Sequence, residues 1–369
     1  MKISFSKHNF TKKTYKNVID VLKSGWLTHG KFTKLFEEEF KKFTKSKFAI
    51  TVSSCTAGLH LSCLAAGFKK GDEVLVTAMS HTATSHAVEY TGASVKFIDV
   101  EKLTGNIKTS QIEKYISKKT KGLIIVHMAG YSCDLKKISK ICKKNKIKLI
   151  EDCAHAVGTY YNKKHAGNFG ISGSFSFYPT KQITTGEGGM VVTNNKKIYK
   201  SLKSLKAFGI DKDINQRKKQ GQYEVNQLGF NYRMTDFQAA IGYEQIKDYK
   251  KNLKKRILIA KRYHLNFKNS KFVKSMPFDK NCSYFIFQIF TKKRDKILKI
   301  LKEKNFQVSV HYAKPIPLMK YYLNKYTGKK DLYSNAIEYA KTNISLPCYP
   351  KLKLKEVDKI SETIIKYSH

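Results

Sequence analysis

The sequence predicts an α/β protein, with a mostly parallel sheet covered by helices on both faces and a smaller C-terminal α/β unit. Two observations carry this. Short, apolar, β-branched runs alternate with helical patterns through the first two-thirds of the 369 residues, as strands joined by crossover helices require. From about residue 236 the pattern gives way to one long helical stretch and a mixed tail. The spacing places a domain boundary near 248, giving a large domain over 1–248 and a small one over 249–369.

In "FTKLFEEEFKKF" (32–43), Phe32, Phe36, Phe40 and Phe43 recur at helical spacing with charges between them. "FAITVSS" (48–54) reads as a strand and "TAGLHLSCLAAG" (56–67) as a helix. "DEVLVTA" (72–78), "TATSHAVEYTG" (82–92) and "SVKFIDV" (94–100) repeat the alternation. "KGLIIVHMAG" (121–130) and "KLIEDCA" (148–154) are buried-strand patterns, separated by the helical "LKKISKICKKN" (135–145). "GSFSF" (173–177) and "GMVVTN" (189–194) continue the strands. In the tail, "YFIFQIF" (284–290) and "FQVSVHY" (306–312) are the strand expectations.

The chain is long enough for a sizeable core and its hydrophobic share of 41% excludes disorder. A net charge of +43 invites a nucleic-acid reading. Yet only five of the 71 basic residues are arginine, the residue that bidentate base and phosphate contacts favour. Runs such as "KKNLKKR" (250–256) read as solvated helix faces, and no nucleic-acid partner is expected. Seven scattered cysteines, odd in number and without a CxxC pair, indicate neither a disulfide framework nor a zinc site, and no metal is expected. The start lacks the apolar run of a signal peptide, and no stretch approaches the length of a membrane span. A cytoplasmic protein without membrane insertion is the expectation.

Ligands of open α/β sheets sit at the carboxyl ends of the strands, and three such ends carry unusual residues. "SSCTAG" (53–58) is a strand-to-helix turn. The N–H groups of Cys55, Thr56 and Ala57, with the Thr56 hydroxyl, would make an anion site there. "IEDCAHA" (150–156) ends an apolar strand with two carboxylates and a histidine. "SFYPTKQITTGEGG" (176–189) sets Lys181 between an aromatic strand and a glycine-rich turn. Partial burial disfavours an ammonium, so the free amine of Lys181 becomes available, as a Schiff-base lysine requires. A phosphate cradle, a carboxylate and an imine-forming lysine are together what pyridoxal 5'-phosphate (PLP) needs.

Five motifs occur in an order that resembles the DegT/DnrJ/EryC1/StrS family of PLP-dependent sugar aminotransferases. They are "SSCTAGLH" (53–60), "MSHTATSHAVEYTGASVKFIDV" (79–100), "EDCAHAVG" (151–158), "GSFSFYPTKQITTGEGGMVVTN" (173–194) and "LGFNYRMTDFQAAIG" (228–242). The resemblance spans nearly the whole chain. It implies the fold-type I architecture, with a seven-stranded type of sheet, and a homodimer with shared active sites. On it, Lys181 binds the cofactor and then shuttles the proton, and Asp152 meets the pyridinium nitrogen. His155 lies near the ring hydroxyl and His81 takes the ring-stacking position. Cys55, Thr56 and Ser176 hold the phosphate, and Asn231 reaches it from the partner subunit. Thr28, His311 and Tyr312 are the implied substrate contacts. Pro317 stands where a second histidine is expected in the latter stretch.

The expected activity is transfer of an amino group from a donor such as glutamate to a nucleotide-linked keto sugar, a 4-keto-6-deoxy hexose, in surface-glycan biosynthesis. A cyclitol or other non-nucleotide ketone is the competing acceptor, and a PLP-binding regulator without turnover the competing role. A branch of the family that removes a sugar hydroxyl has histidine in place of the lysine, and Lys181 argues against that branch.

Overall fold

The computed structural model describes residues 2–212, 219–326 and 330–369. The helices are α1 (Lys12–Ser24), α2 (Lys31–Thr44), α3 (Cys55–Ala65), α4 (Ala83–Glu89), α5 (Ile112–Tyr115), α6 (Leu135–Lys144), α7 (Lys196–Leu205), α8 (Asp236–Lys247), α9 (Tyr249–Phe267), α10 (Arg294–Glu303), α11 (Lys320–Tyr326), α12 (Ser334–Thr342) and α13 (Leu354–Tyr367). The main sheet contains β1 (Phe48–Val52), β2 (Glu73–Thr77), β3 (Ser94–Ile98), β4 (Thr120–Val126) and β5 (Lys148–Asp152). A small hairpin follows, β6 (Tyr160–Tyr161) with β7 (Lys164–His165), and β8 (Ser172–Ser176) and β9 (Gly189–Thr193) complete the main sheet. A second sheet holds β10 (Lys274–Ser275), β11 (Phe287–Phe290) and β12 (Asn343–Leu346).

The seven strands lie in the order β1-β9-β8-β5-β4-β2-β3. β9 is antiparallel to both neighbours, and the other pairings are parallel, so the remaining strands all run one way. The reason is local. Between β8 and β9 the chain has no helix to make a parallel crossover, so it must return antiparallel, and that return loop carries Lys181. The central strands are buried on both faces, and successive side chains pack to opposite sides. Val74, Val76, Ile124 and Ile150 pack with Leu59 and Cys63 of α3, whereas Leu75, Leu123, Ile125 and Leu149 pack with Leu135, Ile138 and Cys142 of α6. Each such side chain, fully buried, contributes roughly 1.5–3 kcal/mol, so both helical layers are held to the sheet by apolar contact.

Three expectations for the C-terminal half are corrected. The long helical stretch breaks at Asp248 into α8 and α9. "YFIFQIF" becomes strand only from Phe287, because Tyr284 adopts a left-handed backbone (φ +46°). "FQVSVHY" forms no strand. Among the described residues it makes isolated bridges only, Phe306 to Ile3 and Ser309 to Ser345, and it serves as a wall of the cleft described below. Ile3 is buried in the same core as Phe287, Ile344 and Ile360, so the N-terminal strap crosses over to the C-terminal unit. We propose the division near residue 248 with that strap as its exception.

Candidate active site

With the strands running one way, the carboxyl ends of β1, β2, β5 and β8 meet at one edge of the sheet, and a cleft of about 370 Å³ opens there. It is lined by Cys55, Thr56, His81, Asp152, His155 and Ser176, together with Lys181, His311 and Tyr312. Thr28 and Asn231 are not among its walls. Thr28 is exposed beside a separate cavity with Arg233 and Lys206, and Asn231 is an exposed residue bridged to Ala207. A larger cavity of about 1100 Å³ beside α6 holds none of these groups.

α3 presents its N-terminus to the cleft. Ser54 caps it, accepting from the Ala57 N–H at 3.0 Å. The expected three-donor cradle is therefore a two-donor one, because only the N–H groups of Cys55 and Thr56 remain for a ligand. Gly58 and Gly189 permit the helix to sit this close. A Cβ on Gly58 would lie 2.3 Å from Ser174 Oγ, and one on Gly189 would lie 2.7 Å from the Cys55 nitrogen. The Cys55 thiol packs against Ser174 at 3.4 Å, and burial pushes its pKa well up. It is thus a neutral filler beside the cradle, not a nucleophile.

Asp152, at the end of β5, is almost fully buried. The Thr84 hydroxyl donates to Oδ2 at 2.8 Å and the Ala154 N–H to Oδ1 at 3.0 Å. Thr84 is in turn paired with Ser80 Oγ at 2.8 Å. Its neighbour Glu151 points to the other face, where the N–H groups of Gly167, Phe169 and Gly170 and the ring of His127 engage it. Of the two carboxylates in the motif, one builds a loop and one faces the cleft.

His155 is buried with its ring stacked on Phe285 at 4.5 Å. Its Nδ1 accepts from the Ala129 N–H at 3.3 Å, which places the ring proton on Nε2, and Nε2 is buried without a partner among the described residues. Burial, with Lys181 and the neighbouring histidines, holds its pKa well below the usual imidazole range. An unpartnered buried donor needs an acceptor from outside the chain. His311 lies edge-on to both His155 and Phe285, bonded to Ser345 Oγ at 3.0 Å, and burial lowers its pKa to about 3. His81 is exposed at the rim; its Nδ1 accepts from the Ala83 N–H and its ring meets Tyr312 edge-on at 6.1 Å.

Lys181 stands at the floor of the cleft, its Nζ 4.4 Å from the centre of the Phe285 ring. Desolvation lowers its pKa to about 8, opposed by the nearby Cys55 and Asp152. Phe285 and Thr84 escaped the sequence reading. Thr84 was legible only as part of a polar helix, and Phe285 only as a strand residue.

A free helix N-terminus, a buried carboxylate, an unpartnered imidazole N–H and a lysine of lowered pKa fit a phosphorylated pyridine aldehyde. The family model for DegT/DnrJ/EryC1/StrS aminotransferases matches residues 9–365. The chain belongs to that family. Its cofactor is pyridoxal 5'-phosphate and it is a PLP-dependent aminotransferase. It is similar to the GDP-perosamine synthase of Escherichia coli O157:H7, 34% identical over 97% of this chain and 96% of the relative. Among solved structures it resembles PseC of Helicobacter pylori, an aminotransferase involved in the biosynthesis of pseudoaminic acid. That match is 30% identical with a TM-score of 0.92, covering 99% of each chain. It also resembles the PLP form of Spr1654 from Streptococcus pneumoniae, 28% identical with a TM-score of 0.92, covering 100% of this chain and 99% of that one.

Proposed function

We propose that this aminotransferase moves an amino group from glutamate to a nucleotide-linked keto sugar, a 4-keto-6-deoxy hexose, in the making of a surface glycan. The observation that carries the reading is the meeting of Lys181, its pKa lowered to about 8, with Asp152 and the N-terminus of α3 in one cleft. The similarity to GDP-perosamine synthase supports a sugar nucleotide as acceptor.

When bound, PLP supplies the electron sink that stabilises negative charge at the substrate carbon. The residues of the chain hold and steer that chemistry. The Cys55 and Thr56 N–H groups and the Ser176 hydroxyl would hold the phosphate at the positive end of α3. Asp152, oriented by Thr84, would serve the ring nitrogen, and His155, through its unpartnered Nε2–H, the ring hydroxyl. His81 would stand beside the ring at the rim. Lys181 Nζ, in the same cleft and with its pKa lowered to about 8, would be the amine that binds the cofactor and the base that moves the substrate's proton. The acceptor ketone would use the same cleft after the donor, in ping-pong order, and His311 and Tyr312, which line it, would be the sugar contacts.

The active unit is proposed to be a homodimer. Tyr15, Ile19 and Leu22 of α1, at helical spacing, and Trp26 and Leu27 after them form a strip of exposed apolar residues, the kind of surface that a partner covers. In that arrangement Thr28 and Asn231 of one protomer complete the cleft of the other.

The decisive measurement is the visible absorbance of the PLP-loaded protein. The band should bleach with glutamate and return with a nucleotide keto sugar. Lys181→Ala should lose the glutamate response. A loaded wild-type protein that ignores every amino donor would refute the reading.

A further inference from the structure

Several polar side chains of the cleft, among them Asp152, His81 and His311, are held by other residues of the chain, and the carboxylate of Glu187 is not. Glu187 lines the same cleft as Lys181 and is exposed, and no hydrogen bond or ion pair engages its carboxylate among the described residues. Its backbone, by contrast, is fixed. The Glu187 carbonyl accepts from Thr185 Oγ1 at 2.6 Å and from Gln238 Nε2 of α8 at 2.8 Å. Gly186 (φ +80°) and Gly188 (φ +156°) on either side turn the chain as only glycine does readily. Gln238 is itself held in the capping box of α8 with Thr235. The loop is therefore tied down through its main chain, and the side chain is left free at the mouth of the cleft.

An ionised carboxylate accepts hydrogen bonds and donates none, so its complement in a ligand is a set of hydroxyl or N–H donors. The two substrates of a ping-pong transferase enter the same cleft in turn, and they differ sharply in this respect. The amino donor's carboxylates offer Glu187 no hydrogen-bond donor. The acceptor sugar carries hydroxyls, which it can hold without an unpaired buried charge. Resting on the function proposed above, we propose that Glu187 is an acceptor-specificity residue. Its carboxylate accepts hydrogen bonds from the ring hydroxyls of the sugar and takes no part in the chemistry at Lys181.

The test separates the two half-reactions in the PLP-loaded enzyme. Bleaching of the visible band by glutamate reports the donor half. Its return, on adding a GDP-linked or a UDP-linked 4-keto-6-deoxy hexose, reports the acceptor half. In Glu187→Ala, bleaching by glutamate should keep its rate constant within about twofold. The sugar concentration giving half-maximal return should rise about 10- to 100-fold, the range for losing a hydrogen bond to a charged group. Glu187→Gln, which keeps an acceptor oxygen without the charge, should fall between Ala and wild type. Equal slowing of both halves would mark Glu187 as a shaper of the loop and overturn the proposal, as would an unchanged acceptor half. If wild type bleaches with glutamate but neither sugar restores the band, the acceptor class fails and the Glu187 assignment falls with it. A wild type that does not bleach at all fails one step earlier, at the aminotransferase reaction.

Discussion

Among the many lysines of this chain, Lys181 differs in what surrounds it. Taking an ammonium out of water favours its neutral form, while the ring face of Phe285 at 4.4 Å and the carboxylate of Asp152 pull the other way. Desolvation wins, and the pKa drops from 10.5 to about 8. The folded value lies below the free one, so the neutral amine gains population as pH rises through 8 instead of through 10.5. At pH 7 roughly a tenth of these amines are neutral, against fewer than about one in a thousand for an unperturbed lysine. The rate at which cofactor-free protein takes up PLP, followed by the visible band, should therefore rise with pH and level off above about 8. A midpoint near 10 would mean that the side chain is solvated. Lys181 and Asp152 were both legible from sequence, because an aromatic strand, a proline and a glycine turn punctuate one and an apolar strand precedes the other. Thr84 was not, since its bond to Asp152 spans 68 residues of chain and nothing local marks it.

At the scale of elements, the site depends on how closely α3 approaches β9. Gly189 in β9 faces the first peptide of the helix, and an added Cβ would meet Ser54 C at 2.6 Å and Cys55 N at 2.7 Å, both backbone atoms. Backbone cannot rotate away as a side chain can, so Gly189→Ala should push the N-terminus of α3 outward. We expect PLP affinity to fall by about 10-fold or more, the effect of weakening one charge-assisted contact to the phosphate. Titration of the visible band measures it, and urea unfolding of the cofactor-free form shows how much of the loss is general destabilisation. The direction of β9 belongs to this scale too. The sequence reads as a strand there, but the pairing partner is set by the absence of a crossover helix between 177 and 188. Residues 306–312 alternate apolar and polar as a strand would, yet they meet β12 at a single bridge, Ser309 to Ser345.

For the whole molecule, the exposed strip on α1 and the exposed positions of Thr28 and Asn231 argue for a second copy across the cleft. A charge placed in the strip meets water in a monomer and is buried unpaired in a dimer. Ile19→Asp should accordingly shift the species from twice 42.3 kDa to that mass in light scattering, and should weaken PLP retention with it. A protein that is monomeric in its wild-type form, yet binds PLP fully, would overturn the shared-site arrangement. Among the described residues no helix is long and apolar enough to cross a membrane.

The alternation of buried strands and helices, the helix caps and the punctuation around Lys181 are local properties, set by side-chain period and backbone preference over a few residues. By themselves they determined the α/β class, the strands of the main sheet and the three motif segments that meet at the cleft. Tertiary structure decided the rest. Glu151, not Asp152, was assigned to the loop by which face of β5 each occupies. Ser54 took the third donor of the cradle, Phe285 arrived beneath Lys181 from the other end of the chain, and the N-terminal strap joined the C-terminal core. Each of these is a contact between residues far apart in sequence, formed because burial rewards whatever surfaces the folded sheet brings together. No window of sequence records that outcome.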